Sequence, residues 1–210
     1  AESKAAATTS FSPAYAAKET LKYVGATAVQ YKLLMLALSG VDKAVRLPKP
    51  AVWLLFAFLS LRSRVVSLLD NSRPNREAQK GKATPVDVKR PSWTPPGIAF
   101  PFIWLTITAL RATAAQMAYA GTLRNPALDA LVLHLCIGDT WNCITNVERR
   151  LGVSAVGCFA VWGSVFRAVK AFGASAAPRA AYVLAPSLAW ISVACVLTAS
   201  IWNLNGRPPV

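Results

Sequence analysis

Arg111, His134 and Asp139 stand inside long apolar runs of this 210-residue sequence. An ionisable side chain in such a setting is costly in hydrocarbon, so it turns toward a bundle interior, a cavity or a charged partner. Arg111 and Asp139 fall at matching depths of consecutive runs. That placement predicts a buried ion pair whose role is structural rather than reactive. His134 is the single histidine. Its neutral imidazole suits a hydrogen-bonded packing role, or ligation of a metal such as the magnesium of a chlorophyll. No metal site built by the protein alone is expected. Catalysis is not expected either. The sequence has one His, no paired carboxylates within a run, no G-x-S-x-G and no phosphate-cradling glycine loop.

Tryptophan supplies the other chemistry, with 7 residues. Trp93, Trp104, Trp141, Trp162, Trp190 and Trp202 could offer flat faces to a planar macrocycle. The same ring also serves helix packing and the membrane-interface belt. Trp93 and Trp202 suit the belt. Trp141 and Trp190 lie mid-run among small residues and suit the lining of a cavity. Asn142 and Asn146, on the face beside Trp141, suit hydrogen bonds between helices, and Asn142 is grouped with the binding face. The four cysteines (Cys136, Cys143, Cys158, Cys195) show no C-x-x-C spacing and read as small hydrophobes.

The elements that must position these groups are greasy. The chain is 54% hydrophobic and only 15% charged, with a net charge of +14, against about 25% charged for an ordinary globular domain. Disorder is excluded for most of its length. The basic residues sit at the ends of apolar runs, where snorkelling and anionic headgroups favour them. Nucleic acid is therefore not an expected partner, since its binders spread Lys and Arg over a soluble face. The expected fold is an all-α integral membrane bundle of five spans, at about 51–69, 98–120, 126–146, 151–172 and 180–205. Arg62 and Arg64 make the first span the weakest, and Pro186 predicts a kink in the last. Lys and Arg divide evenly between the two faces and give no orientation.

Before the spans, residues 1–49 form a basic extension. Ser12-Pro13 is a helix start, and Ala17, Leu21, Val24, Ala28, Tyr31 and Met35 recur at helical spacing. This predicts an amphipathic helix lying on the membrane interface or on a partner. Leu47-Pro48-Lys49-Pro50 ends it. A polar loop at 70–97 carries Arg73, Arg76, Lys80, Lys82, Lys89 and Arg90. Residues 207–210 are a tail. The start at Ala1 with no apolar core before residue 20 reads as a mature form whose targeting peptide has been removed.

Four motifs in order carry a resemblance. Pro91-Ser92-Trp93-Thr94-Pro95-Pro96 leads into Phe100 and Trp104. Trp141 is followed by Glu148-Arg149-Arg150. Leu184-Ala185-Pro186-Ser187-Leu188-Ala189-Trp190 and Ile201-Trp202-Asn203-Leu204-Asn205 close the set. Together they resemble the tryptophan-rich sensory protein / translocator protein (TspO/MBR) family over residues 50–206. The resemblance implies a five-helix membrane domain, a tetrapyrrole- and sterol-responsive cavity between helices, and a first loop that acts as its lid. The chain departs from the family at Ser187, where the family has Tyr, and at Cys143 and Ile144, where it has an aromatic pair. The fold therefore carries over more firmly than the ligand.

Two functions follow as expectations. One is a non-enzymatic subunit or docking factor of a larger pigment-containing, photosynthetic membrane complex, engaged through the N-terminal extension. It would contact tetrapyrrole (porphyrin or chlorophyll), carotenoid or lipid. The other is a free-standing tetrapyrrole or sterol carrier or sensor. The expected home is an organelle membrane, the plastid thylakoid or, alternatively, a mitochondrial membrane.

Overall fold

A computed structural model of the chain describes residues 13–62, 66–69 and 88–207, with side chains from Ala16 onward. Ser12, Arg64 and the loop cations Arg73, Arg76, Lys80 and Lys82 lie outside the described residues. The described elements are helical: α1 (Pro13–Ala44), α2 (Lys49–Arg62), α3 (Ala99–Ala118), α4 (Pro126–Asn146), α5 (Leu151–Gly173) and α6 (Arg179–Leu204).

Local chemistry explains where they start and stop. The Asn125 side chain accepts hydrogen bonds from the backbone N–H groups of Ala127 and Leu128, Pro126 fills the first turn, and Asp129 meets the positive end of the helix dipole. Residues 45–48 are non-helical, as the residue before Pro48 leaves the α region. Helix α6 runs unbroken through Pro186.

Around the bundle the packing order is α2, α3, α6, α5, α4, with α1 outside against α4. Helices α3 and α4 barely touch, although they are consecutive. A gap opens there, and the other helices close it. Small residues allow the close approaches elsewhere: Ala112, Ala115 and Ala118 on α3 and Ala168 on α5 are buried. Trp53 Nε1 donates to Thr113 Oγ1 at 3.1 Å across the α2–α3 seam. Gly157 lets α5 pass beside Trp141, whose Cδ1 lies 3.4 Å from where a Cβ would sit.

Helix α1 differs from the expected surface-lying helix. It runs antiparallel to α4 from end to end. Near its start, Lys22 bonds Glu148 at 2.7 Å and Arg150 bonds Glu19 at 2.6 Å. Near its end, Asp42 accepts from Thr122 Oγ1 at 2.7 Å and from the Leu123 N–H at 2.9 Å. Tyr23, Ala26, Gln30, Leu34 and Leu38 are buried, while Leu21, Val24, Leu33 and Leu36 are exposed. The helix is thus apolar on both the packed and the open side. Its lysines suggest a polar face, but Lys22 sits near one end and is engaged by Glu148.

Among the described residues, three helical segments are long and apolar enough to cross a membrane: Ala16–Ala44, Leu151–Gly173 and Arg179–Leu204. Helices α3 and α4 have 20 and 21 residues, close to the ~20 that hydrocarbon requires, but they carry the polar groups of the interior. Helix α2 is shorter than the expected 51–69 run, with 14 residues. At ~1.5 Å per residue that is about 21 Å.

Candidate functional site

The gap between α3 and α4 holds a cavity of about 220 Å³. Trp104, Thr108 and Arg111 line it from α3, and His134, Gly138, Asp139, Trp141 and Asn142 from α4. Ser60 and Leu61 of α2, Val161 of α5 and Ile191 of α6 complete the wall. The helical repeat explains the composition: positions 104, 108 and 111 share one face of α3, and 134, 138 and 141 one face of α4.

A polar chain runs through the buried floor. Arg111 Nη2 donates to His134 Nε2 at 2.7 Å. A guanidinium cannot accept, so the imidazole is neutral at Nε2 and carries its proton on Nδ1. Nδ1 then donates to Ser164 Oγ at 2.9 Å, and Ser164 Oγ donates to the Val161 carbonyl at 2.7 Å. Arg111 and His134 are 6% and 1% exposed. Both imidazole nitrogens are used. The geometry therefore removes His134 as a ligand for a chlorophyll magnesium, because the lone pair such a bond needs points at Arg111.

The expected Arg111–Asp139 ion pair is replaced by a different arrangement. Asp139 Oδ2 accepts from Gln30 Nε2 of α1 at 2.8 Å, while Arg111 turns to His134. The two charges act on each other through space across the cavity they both line. His134 sits five residues before Asp139 on α4, about 7.5 Å along the axis, so a guanidinium bonded to the first is drawn away from the second. Thr27 and Thr140 share a hydrogen bond of 2.6 Å beside Gln30.

The tryptophans divide. Trp104 and Trp141 line the cavity, and Trp141 Nε1 donates to the Ser154 carbonyl at 2.9 Å. Trp190 does not reach the wall; it packs edge-on against Phe100 with centroids 6.1 Å apart and joins the cluster around Trp104 and Trp141. Trp93 stands 48% exposed in the loop before α3. Trp162 faces outward, stacked on Phe166 at 5.4 Å, with Nε1 donating to Ser192 Oγ. Beside it, Phe159, Ser192, Cys195 and Val196 help line a shallow outward groove of about 610 Å³ between α5 and α6. Asn205 clamps the loop: its Nδ2 donates to the Lys89 carbonyl at 2.9 Å and its Oδ1 accepts from the Lys89 N–H at 3.0 Å.

Sequence reasoning missed Gln30, Ser164 and Ser60. Gln30 and Ser164 work from helices remote in the chain, and a lone polar residue in an apolar run carries no address for its partner.

At the far end of α4, Glu148 takes hydrogen bonds from Lys22 and from the Tyr23 hydroxyl. Burial pushes its carboxyl up, but those bonds and the charges of Lys22 and Arg150 outweigh burial and hold it below the ordinary carboxylate value.

An all-helical bundle with apolar membrane-length helices and a polar, tryptophan-edged interior gap defines a class: a helical membrane protein with a small internal site. The model of the TspO/MBR family matches residues 76–203, more than half of the chain, and the chain belongs to that family. It is also similar to "Protein CrtK" of Rhodobacter capsulatus. The identity is 27% over 128 residues, covering 59% of this chain and 79% of that protein.

Proposed function

We propose that the chain is a non-enzymatic, membrane-embedded subunit that docks on a larger complex, with flat pigments or lipids bordering its outer grooves rather than filling its interior. The carrying observation is one of size. The interior cavity of about 220 Å³ falls below the ~300–1,000 Å³ of ordinary small-molecule pockets, and its histidine has no lone pair to spare. The outward groove is larger, about 610 Å³, and is edged by Trp162. In this reading the complex is photosynthetic and pigment-containing, and the membrane is the plastid thylakoid. Support comes from the tetrapyrrole link that the family resemblance implies and from the chain's basic extension. The five-span family domain would then be joined by α1 as a further span.

The test is solubilisation of the source membrane in mild detergent, followed by native separation. Comigration with a pigmented assembly, lost when Trp162→Ala is introduced together with Phe159→Ala, is the expected result. Migration as a free, pigmentless monomer overturns the reading.

A free-standing tetrapyrrole or sterol carrier is the second reading, favoured by Trp104 and Trp141 sharing one cavity wall. It predicts tight saturable quenching of tryptophan emission by a porphyrin, lost in Trp141→Phe. The subunit reading predicts none.

A further inference from the structure

Cys158 on α5 and Cys195 on α6 bring two thiols together inside the bundle. The Cys195 thiol donates toward Cys158 Sγ at 3.1 Å and toward the Cys158 carbonyl at 3.4 Å. Both cysteines are free. A disulfide holds its sulfurs ~2.05 Å apart, so the pair closes with about 1 Å of approach. Spacing in the sequence hides this pair, because its members lie on separate helices.

The helix register holds them there. Antiparallel α5 and α6 keep one alignment along the hairpin. Near its turn, a Cβ on Gly173 would sit 3.7 Å from Ala181 Cβ. Further in, Trp162 Nε1 donates to Ser192 Oγ at 2.9 Å. Cys158 meets Cys195 about one helical turn beyond that bond. Buried Ala155 and Ala194 beside them are small enough for the backbones to approach.

Position separates the two roles. Cys158 is 0% exposed, while Cys195 is 7% exposed and lines the outward groove. Phe159, Trp162, Val196 and Ala199 give that groove an apolar face. Cys158 lies seven residues beyond the first residue of α5, about 10 Å along the helix. A reagent reaching this depth from outside the bundle arrives through lipid. Organic hydroperoxides, the class that oxygen makes from unsaturated acyl chains, are oxidants of that kind.

We propose that Cys158 and Cys195 form an oxidisable dithiol, which a lipid-phase hydroperoxide converts into a disulfide that staples α5 to α6. The Cys195 sulfur attacks the terminal peroxide oxygen. The O–O bond breaks, the leaving alkoxide takes the thiol proton and departs as an alcohol, and Cys195 becomes a sulfenic acid. The Cys158 sulfur then attacks the Cys195 sulfur. The S–O bond breaks, and hydroxide leaves with the Cys158 proton as water. Two thiols lose two electrons in all, and one peroxide gains them. The second step joins sulfurs already in contact, which favours it over any competing reaction. The site is independent of the docking role proposed above and can stand or fall without it.

Cumene hydroperoxide added to the full chain in nanodiscs tests this, with hydrogen peroxide as the water-borne counterpart. Alkylation after denaturation, followed by peptide mass mapping, reads each thiol. The expected result is a Cys158–Cys195 link that dithiothreitol reverses. It should form at least ~tenfold faster than the Cys136 thiol, buried in α4, is lost. Cys158→Ser should stop at a sulfenic acid on Cys195 that dimedone captures, a gain that a damaged fold would not confine to one thiol. Cys195→Ser should leave Cys158 reduced. A wild-type pair that stays reduced overturns the proposal, as does a link from Cys195 to a second chain. Hydrogen peroxide closing the pair as fast as cumene hydroperoxide at equal concentration also overturns it, because the route through lipid would be lost.

Discussion

Arg111 Nη2 donates to His134 Nε2 across 2.7 Å, between two helices that otherwise hardly meet. The bond links α3 to α4 at the cavity floor. Through His134 Nδ1 and Ser164 it continues into α5. A cation held by a neutral ring keeps its charge, so Arg111 remains an electrostatic feature of the gap instead of being cancelled in a tight ion pair.

Removing the ring should therefore be felt in stability. His134→Ala leaves an Arg111 N–H without its acceptor in a buried setting, while the Ser164 hydroxyl keeps its bond to the Val161 carbonyl. The expected loss is about 3 kcal/mol or more, because an unsatisfied donor on a charged group costs more than a neutral one. His134→Gln, which keeps an amide oxygen able to accept, should recover part of it. Thermal unfolding in detergent ranks the three proteins. Equal midpoints for Ala and Gln would show that the acceptor is unimportant.

Gly157 sets how closely α5 passes Trp141. A Cβ there would sit 3.4 Å from Trp141 Cδ1, so Gly157→Ala fits in ordinary contact and gains up to about 1 kcal/mol of helix propensity. Gly157→Leu overfills the same point and should cost about 1–3 kcal/mol. The larger variant must also push the indole and lengthen its bond to the Ser154 carbonyl. Emission of Trp141, read in a background with the other tryptophans replaced, should shift for Leu and stay put for Ala.

Local signals in the sequence locate most helices well. Asn125-Pro126 and Leu47-Pro48 mark real boundaries because capping and proline geometry act over two or three residues. Apolar run length finds α5 and α6 within a residue or two of their ends. The failures share a cause. Gln30 with Asp139, Arg111 with His134 and Asn205 with Lys89 are pairings between separate elements, and single-sequence periodicity carries no partner information. The sequence reading finds helix α1 and its start at Pro13 but not its packing against α4, because its lysines look like a wet face, whereas its packed face is written in scattered residues such as Tyr23, Ala26 and Gln30. Of the candidate site, Trp104, Trp141, Asn142, His134, Arg111 and Asp139 do share one cavity. Trp190 and Trp93 fall outside it, since a tryptophan's type does not say which way its helix turns it.

Asn205 holds the loop ahead of α3 by a reciprocal pair of bonds to the backbone of Lys89. Asn205→Ala removes both, and each is worth about 0.5–1.5 kcal/mol. The loss is local, so global unfolding should change little while residues near Lys89 and Arg90 become better protease substrates. Asn205→Asp keeps the acceptor but loses the donor and should fall between. Trypsin cleavage after Lys89 in intact proteoliposomes measures this; an unchanged rate in Asn205→Ala would remove the clamp from the account.

Acid should loosen the α1–α4 contact. Glu148 titrates below its ordinary value in the folded chain because the bonds and charges from Lys22, Tyr23 and Arg150 outweigh burial. A carboxylate depressed in this way stabilises the fold above its unfolded pKa, roughly 4.3. That contribution fades as pH drops through the folded value, once the proton removes the charge that Lys22 and Tyr23 address. Lys22 is 43% exposed on its side chain, so water screens the pair and its share is about 1 kcal/mol or less. Glu148→Gln should therefore cost about that much near pH 7 and nothing further in acid. The gap in denaturation midpoint between wild type and variant should close as pH falls below about 4, and it should also shrink in ~1 M salt. A gap that stays constant from neutral to strongly acidic pH would place the anchoring of α1 in its apolar face alone.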